Sequence, residues 1–313
     1  MRSFVLALVG ATLLAGPTTA RGKDVEDPAN AEAQEVERTE QEMGEGGEED
    51  LAKKAQNPLA NIISMPLQWN TDFGIGSDEG KGHVLNIQPI YPVSLSKGAT
   101  LINRMILPLP KSVPGGGGGV GTTAGLGAVV PGFATTMSDA GQALDRETGL
   151  GDITLMNWYS PEPKGSFMWG FGPVTIWPTA TDDRLGDGKF SIGPSAVLVL
   201  SNPKFIAASV INAWWSVGGD SDAPDVGVFY WQPIFTYFLP NKWYVVTAPV
   251  IIKDLEGQSG QKWIVPLGGG VGKMFNVGTL PLDLTAQVYK YVEKPDGGPD
   301  WVLRLQLKFI FPK

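Results

Sequence analysis

The C-terminal stretch from Asp300 to Lys313, DWVLRLQLKFIFPK, alternates between apolar and polar side chains almost without interruption. One set of positions is large and apolar: Trp301, Leu303, Leu305, Leu307, Phe309 and Phe311. The positions between them are Val302, Arg304, Gln306 and Lys308. Because side chains along a strand point to opposite sides with a period of two, this segment is predicted to be a strand with one apolar and one charged face. Such a terminal strand is typical of an outer-membrane β-barrel, with lipid outside and water inside.

A soluble, secreted β-sandwich is the main alternative for a chain with this pattern. An exposed edge strand with so many large apolar side chains would promote aggregation, however, which favours the barrel. Glycine (41 residues) and proline (25 residues) are abundant, which disfavours helices and fits many strands joined by turns.

Export is indicated by residues 1–20. They combine Arg2, an apolar run over 4–15 and the small residues 18–20, a pattern typical of a cleaved signal peptide. No later apolar run reaches the roughly 18 residues that a transmembrane helix needs. The chain contains no cysteine, so disulfides, a lipid-anchored cysteine and cysteine chemistry are excluded.

The net charge of −8 comes from one segment. Residues 24–50 hold twelve acidic residues and a single basic one, whereas acidic and basic residues balance from residue 51 onward. We therefore expect residues 21–55 to be an acidic, disordered periplasmic segment, with a short helix near 48–55, and residues 56–313 to form the barrel. The absence of a basic stripe argues against a nucleic-acid partner.

Twelve strands are predicted in this barrel domain, an even number as bacterial single-chain barrels require. Their expected ranges are 61–73, 83–94, 99–109, 150–160, 167–179, 189–201, 205–217, 228–239, 242–253, 261–273, 282–293 and 300–312. Alternation is weakest over 189–217, so the boundaries there are the least defined. The connections alternate between short turns and longer, mostly acidic loops, the longest over 110–149. This is the barrel pattern, and it places the short turns and both termini in the periplasm.

Polar residues on the predicted inner faces are the candidate functional residues. This lumen-lining set comprises Asn86, Gln88, Arg104, Asp152, Thr154, Gln232, Gln287, Arg304, Gln306 and Lys308. Mixed charges and amides inside a small barrel can line a narrow pore or form a hydrogen-bonded plug, and the sequence leaves both open. The tryptophans and tyrosines are expected to form the two girdles at the membrane interfaces.

No catalytic residue, metal site or cofactor is predicted. The segment GGGVGK (268–273) lacks the first glycine and the hydroxyl residue of a P-loop, so its glycines more plausibly allow close approach of a neighbouring chain. The lone histidine, His83, has no nearby nucleophile. The acidic loops over 181–188 and 218–225 do not match the spacing of a calcium-binding loop.

Several motifs together resemble a family of known proteins. They are QNPLANIISMPLQWNTDFGIG (56–76), VLNIQPIYPVSL (84–95), LINRMILPLP (101–110), GLGDI (149–153), GFGPVTIWPTATDD (170–183), VPLGGGVGK (265–273) and the closing strand. They are similar to a proteobacterial group of outer-membrane barrels labelled as transporters, as phenol-degradation pathway proteins or, misleadingly, as neuromedin U. The resemblance implies passage of small, hydrophobic or aromatic compounds and offers no catalytic residues. The Glu-rich 24–50 segment and the long Gly-rich connection depart from it.

These observations predict an all-β, twelve-stranded transmembrane barrel in the outer membrane of a Gram-negative bacterium, a channel or uptake protein for small molecules. Its expected partners are outer-membrane lipid, lipopolysaccharide, the barrel-assembly machinery and a small permeant. The alternatives are a structural barrel with a plugged lumen and the soluble sandwich.

Overall fold

A computed structural model describes residues 47, 50–76, 79–114, 146–183, 185–256, 263–295 and 298–311. Within them, residues 50–56 form a short helix, α1, and Ser96–Gly98 form one 3₁₀ turn. The strands are β1 (Ile63–Ile75), β2 (Gly80–Ile87), β3 (Ile90–Ser94), β4 (Thr100–Pro114), β5 (Arg146–Thr148), β6 (Ile153–Ser160), β7 (Phe167–Trp177), β8 (Lys189–Ser201), β9 (Phe205–Gly219), β10 (Gly227–Phe238), β11 (Trp243–Thr247), β12 (Ile251–Asp254), β13 (Trp263–Val277), β14 (Leu280–Glu293) and β15 (Trp301–Phe311).

The strands form a closed antiparallel barrel, which confirms the predicted fold and excludes the sandwich. Over the described residues there are twelve strand positions around the ring, because β2 with β3 and β11 with β12 each fill one position and β5 extends the pairing of β4. The first and last strands close the ring: β1 and β15 pair continuously from Ile63 opposite Phe311 to Phe73 opposite Trp301. Around the ring of described strands, closure therefore leaves no open sheet edge.

Two of the predicted strands are broken, and a proline stands at each break. The range 83–94 divides at Pro89, and the range 242–253 divides around Pro249. Proline has no N–H to give to a neighbouring strand, so pairing lapses there. Backbone hydrogen bonds to the neighbouring strands resume beyond each break, which keeps both segments in the ring.

One rim carries only short turns, the longest described being residues 161–166, and the other carries the long loops, as predicted. The chain enters β1 and leaves β15 at the short-turn rim. The expected signal peptide (1–20), most of the acidic segment (21–46) and the glycine-rich part of the longest connection (115–145) lie outside the described residues. No helix among those described is long and apolar enough to cross a membrane.

The outer surface is an apolar belt. Its exposed residues include Leu198, Leu200, Leu284, Val288 and Leu305 in strand interiors. Aromatic side chains lie near both strand ends, as the girdle prediction requires: Trp169, Tyr237 and Trp243 towards the short-turn rim, and Trp177, Trp215, Trp263 and Trp301 towards the long-loop rim. An exposed apolar surface of this extent in a closed barrel is suited to lipid.

The weak alternation over 189–217 has a structural cause. In β8 and β9 many of the inward residues are themselves apolar, among them Val197, Val199, Val210 and Trp214, all essentially buried. Since apolar residues stand on both faces here, the sequence carries little period-two signal, yet the strand ranges match the prediction closely.

Candidate functional site

The lumen of the barrel has one apolar side and one polar side. The apolar side is formed by the inward residues of β4 and β6–β10, which include the fully buried Ile102, Met156 and Trp158. A short chain of hydrogen bonds crosses this side, because Trp158 Nε1 donates to Ser195 Oγ at 2.6 Å and Ser195 Oγ in turn donates to Asn212 Oδ1. These contacts hold two of the polar groups on that side in place.

The polar side is centred on Arg304 of β15. Its Nε donates to Asn70 Oδ1 of the adjacent β1 at 3.1 Å, and its Nη1 donates to the carbonyl oxygen of Ala248 at 3.0 Å. The guanidinium also lies 5.0 Å from the ring centre of Tyr289, whose hydroxyl accepts a bond from Ala248 N at 2.8 Å. The strand break around Pro249 therefore gives its backbone groups to lumen side chains rather than to a neighbouring strand.

The glycines of β13 make room for a second polar cluster. Gly268, Gly270 and Gly272 share the inner face, and a side chain at Gly272 would collide with the ring of Tyr244. Tyr244 reaches across this position, with its hydroxyl 2.6 Å from Asp283 Oδ1 and 2.8 Å from Thr285 Oγ1. The close approach predicted from the period-two glycines is thus made by a tyrosine side chain.

The lumen contains a cavity of about 120 Å³ towards the short-turn end. Arg104, Arg304 and Lys308 line it, together with the carboxamides of Gln56, Gln68, Gln88, Gln232, Gln287 and Gln306. Apolar side chains complete the lining, including those of Ile90, Ile234 and Val246. Arg104 Nη2 donates to Gln88 Oε1 at 2.6 Å, so one guanidinium is anchored by a neutral acceptor.

Helix α1 and the residues after it close the cavity on its short-turn side. Ala52 and Ala55 are buried against Ile62, Met274 and Ile310 at the end of the lumen. Lys308 Nζ donates to the carbonyl oxygen of Ala55 at 2.6 Å and lies 3.8 Å from Asp283, and Gln56 Nε2 donates to Asp283 Oδ2 at 2.9 Å. The helix is therefore tied to β14 and β15 by both apolar and charged contacts.

Seven of the residues predicted to line the lumen meet at this one cavity. They are Gln88, Arg104, Gln232, Gln287, Arg304, Gln306 and Lys308. Asn86 and Thr154 also lie on inner faces and are buried, but they are not part of the cavity wall.

Asp152 lies elsewhere, at the long-loop rim just before β6. Its carboxylate accepts backbone N–H bonds from Thr179 and Ala180 at 3.0 Å each and from Asp187 at 2.7 Å. Burial raises the pKa of the Asp152 carboxyl, while these three hydrogen bonds act in the opposite direction. Asp152 thus organises the loop between β7 and β8.

The polar cavity residues absent from the predicted set include Gln68 and Gln56, and of these two only Gln68 had a detectable signal. Gln68 alternates with Asn70 and Asp72 on β1, so period-two polarity in PLQWNTDF could have identified it. Gln56 lies outside any strand pattern, and only the tertiary packing of α1 brings it to the cavity.

The remaining candidates for chemistry are dispersed. His83 is on the outer face, stacked on Trp69 with ring centres 5.6 Å apart and 3.0 Å from Thr71 Oγ1. Within the described part of the chain, no three His, Asp or Glu residues form a group that could hold a metal ion.

No protein-family model matches this sequence, and no curated protein matches it. Among solved structures, an outer membrane channel from Pseudomonas putida F1 is similar, with a TM-score of 0.56 and 16% identity over 80% of this chain and 94% of that chain. The NanC porin has a TM-score of 0.48 and 8% identity, covering 80% of this chain and 100% of that chain. Outer membrane phospholipase A from Escherichia coli has a TM-score of 0.42 and 11% identity, covering 84% and 98%. At such low identity, the first likeness establishes the barrel fold alone.

Proposed function

We propose that this protein is an outer-membrane channel of a Gram-negative bacterium that lets small molecules pass by passive diffusion. The observation that carries the proposal is the convergence of three cationic and six glutamine side chains on one cavity inside a closed barrel. A hydrogen-bonding, charged lining inside an apolar outer belt is what a water-filled path through lipid requires.

The expected surroundings of the channel follow from its apolar belt and its long-loop rim. The apolar belt would contact outer-membrane lipid, and the long-loop rim would face lipopolysaccharide. Insertion of a barrel of this kind would depend on the barrel-assembly machinery. The channel activity of the similar Pseudomonas putida F1 protein is consistent with the proposal, since the two share the fold. The family resemblance of the sequence adds small hydrophobic or aromatic compounds as the expected permeants.

A structural barrel without transport is the second candidate, favoured by one observation. The apolar side of the lumen is densely filled, with Trp158, Trp214 and Tyr230 no more than 2% exposed. Side chains packed in this way would stabilise a nearly closed barrel.

Conductance separates the two candidates. The full chain is expressed in an outer membrane, and electrophoresis of unboiled and boiled samples first establishes that it is folded. The folded protein is then added to a planar lipid bilayer. Stepwise conductance is expected of a channel, and neutral substitution of Arg104, Arg304 and Lys308 should change its ion selectivity. A folded protein with no conductance, destabilised by the same substitutions, would instead establish the structural barrel.

A further inference from the structure

The cavity has an unbalanced charge. Three of its lining residues are cationic, and no aspartate or glutamate occurs among the described residues that line it. The nearest described carboxylate known to contact a cavity cation is Asp283, which lies 3.8 Å from Lys308. That carboxylate already accepts hydrogen bonds from Tyr244 and Gln56, so it is largely occupied within the wall.

The two arginines donate hydrogen bonds to neutral acceptors, although the buried Asp72 lies close enough to Arg304 for their charges to interact. Arg304 donates to Asn70 Oδ1 and Ala248 O, and Arg104 donates to Gln88 Oε1. Among the described residues, neither guanidinium has a carboxylate within salt-bridge distance. A guanidinium in a confined space attracts an anion strongly, because a charge-assisted hydrogen bond is about twice as strong as a neutral one.

One donor in the cavity wall is unused. Arg104 Nε is shielded from solvent and has no hydrogen-bond partner among the described residues. Buried polar groups in native proteins nearly always have partners, so an unpartnered donor indicates a missing acceptor. This observation is independent of the charge count and points to the same kind of ligand.

The rest of the lining defines the body of that ligand. Ile90, Ile234 and Val246 present hydrocarbon to the cavity, and Pro66 adds a further apolar surface. A volume of about 120 Å³ admits only a compact molecule. The six glutamine side chains are uncharged and can both donate and accept hydrogen bonds.

We propose that this cavity is a binding site for a small carboxylate with a compact apolar body, the size of benzoate, its carboxylate received by Arg104 and Arg304. The inference deepens the proposed channel function, on which it rests, by naming the chemical class of the permeant. Guanidinium forks suit a planar carboxylate, since they can donate two parallel hydrogen bonds to its two oxygens.

Isothermal titration calorimetry on the full-length folded protein in detergent tests the site, with sodium benzoate as the probe. Benzamide is the matched control ligand, because it has the same ring and shape without the charge. We expect saturable heat with benzoate and none with benzamide. Arg304→Gln and Arg104→Gln should each weaken benzoate binding about tenfold or more, as loss of a charged hydrogen bond does.

Three further variants serve as controls. Arg104→Lys and Arg304→Lys keep the positive charge and should retain part of the affinity, which distinguishes lost recognition from lost folding. Lys290→Gln removes a cation from the exposed outer face of β14 and should leave binding unchanged. The boiled and unboiled mobility of every variant shows whether it is folded.

The outcomes are distinguishable from those of the channel test. Absence of benzoate binding to the folded wild-type protein, or equal binding of benzamide, overturns the carboxylate site even if the bilayer shows conductance. Benzoate binding without any conductance refutes the channel and leaves a barrel that binds carboxylates. Binding unaffected by the glutamine variants places the anion elsewhere and also overturns the proposal.

Discussion

The ring of Tyr244 occupies the space that a side chain at Gly272 would fill, on the adjoining inner surfaces of the paired strands β11 and β13. Because residue 272 has no side chain, the tyrosine hydroxyl can reach Asp283 and Thr285 of β14. A glycine in one strand thus allows a hydrogen bond between the two strands that flank it.

Gly272→Ala tests this relationship. The added methyl group would displace a ring that is 1% exposed and hydrogen-bonded at its far end, so the ring cannot move without losing those bonds. We expect a loss of stability of about 1–3 kcal/mol, the usual effect of overpacking. The temperature at which the folded gel band converts to the unfolded band would measure this loss of stability. Gly218→Ala is the control, since nothing lies within 4 Å of that position; equal losses at both sites would contradict the assignment.

The stability of the barrel should depend on the presence of both members of the buried pair Lys308 and Asp283. Asp283 is completely buried, so Asp283→Asn would leave Lys308 without its counter-charge in the barrel wall. Removal of one partner of a buried pair typically destabilises by about 3–5 kcal/mol, and the double variant Asp283→Asn with Lys308→Met should recover part of this. The temperature at which the folded gel band converts to the unfolded band is measured for the wild type, both single variants and the double variant. The differences give the coupling free energy between the two residues.

The pair of Lys189 and Asp225, in which only the aspartate is exposed, supplies the comparison for that cycle. The Asp225 side chain is 83% exposed, so Asp225→Asn should change stability by less than about 1 kcal/mol. If the two single aspartate variants were equally stable, burial would not be the source of the Asp283 effect.

Helix α1 should limit conductance at the short-turn end of the lumen. Ala52→Glu would place a carboxylate among Ile62, Met274 and Ile310, where an unpaired charge is strongly disfavoured. Since each ~1.4 kcal/mol changes an equilibrium about tenfold, we expect the helix to leave the lumen and single-channel conductance to rise. Lys54→Glu introduces the same residue at an exposed position of the helix and should have no such effect. Unchanged conductance in folded Ala52→Glu would show that α1 does not restrict the path.

Acid should loosen the loop between β14 and β15. Lys294 donates to Asp300 Oδ1 at 2.6 Å, and this hydrogen bond and charge hold the pKa of the Asp300 carboxyl below its usual range. A carboxyl with a depressed pKa in the folded state stabilises that state above the unfolded pKa, about 3.9 for Asp, and the contribution is lost as pH falls through the lower folded value. The backbone bond from Asp300 N to Phe73 O would then exchange faster.

Amide hydrogen exchange of Asp300 and Trp301 as a function of pH measures this loosening. Asp300→Asn should exchange fast at neutral pH and show little further acid response. The stacked pair of Phe73 and Trp301, with ring centres 3.9 Å apart, adjoins the loop and gives a second signal through Trp301 fluorescence. A wild-type acid response identical to that of Asp300→Asn would assign the effect to another group.

The period-two pattern of 300–312 was sufficient to predict a barrel strand, its inward and outward faces, and the inward position of Arg304 and Lys308. That information is local, because a strand that separates lipid from lumen must alternate along its own length. The same rule located Gln88, Gln232 and Gln287. It was weak over 189–217, where both faces are apolar, and it assigned Asp152 to the lumen although the carboxylate caps a loop.

What only the tertiary structure decided is which of these inward residues share one space. Strand breaks at Pro89 and Pro249, the glycine at 272 and the docking of α1 under the lumen bring residues from distant parts of the chain to one cavity. Each depends on contacts between residues far apart in sequence, such as Lys308 with Ala55, which no local period encodes. The sequence by itself therefore determined the barrel and its two faces, whereas the docked helix and the cationic cavity arose from packing across the ring.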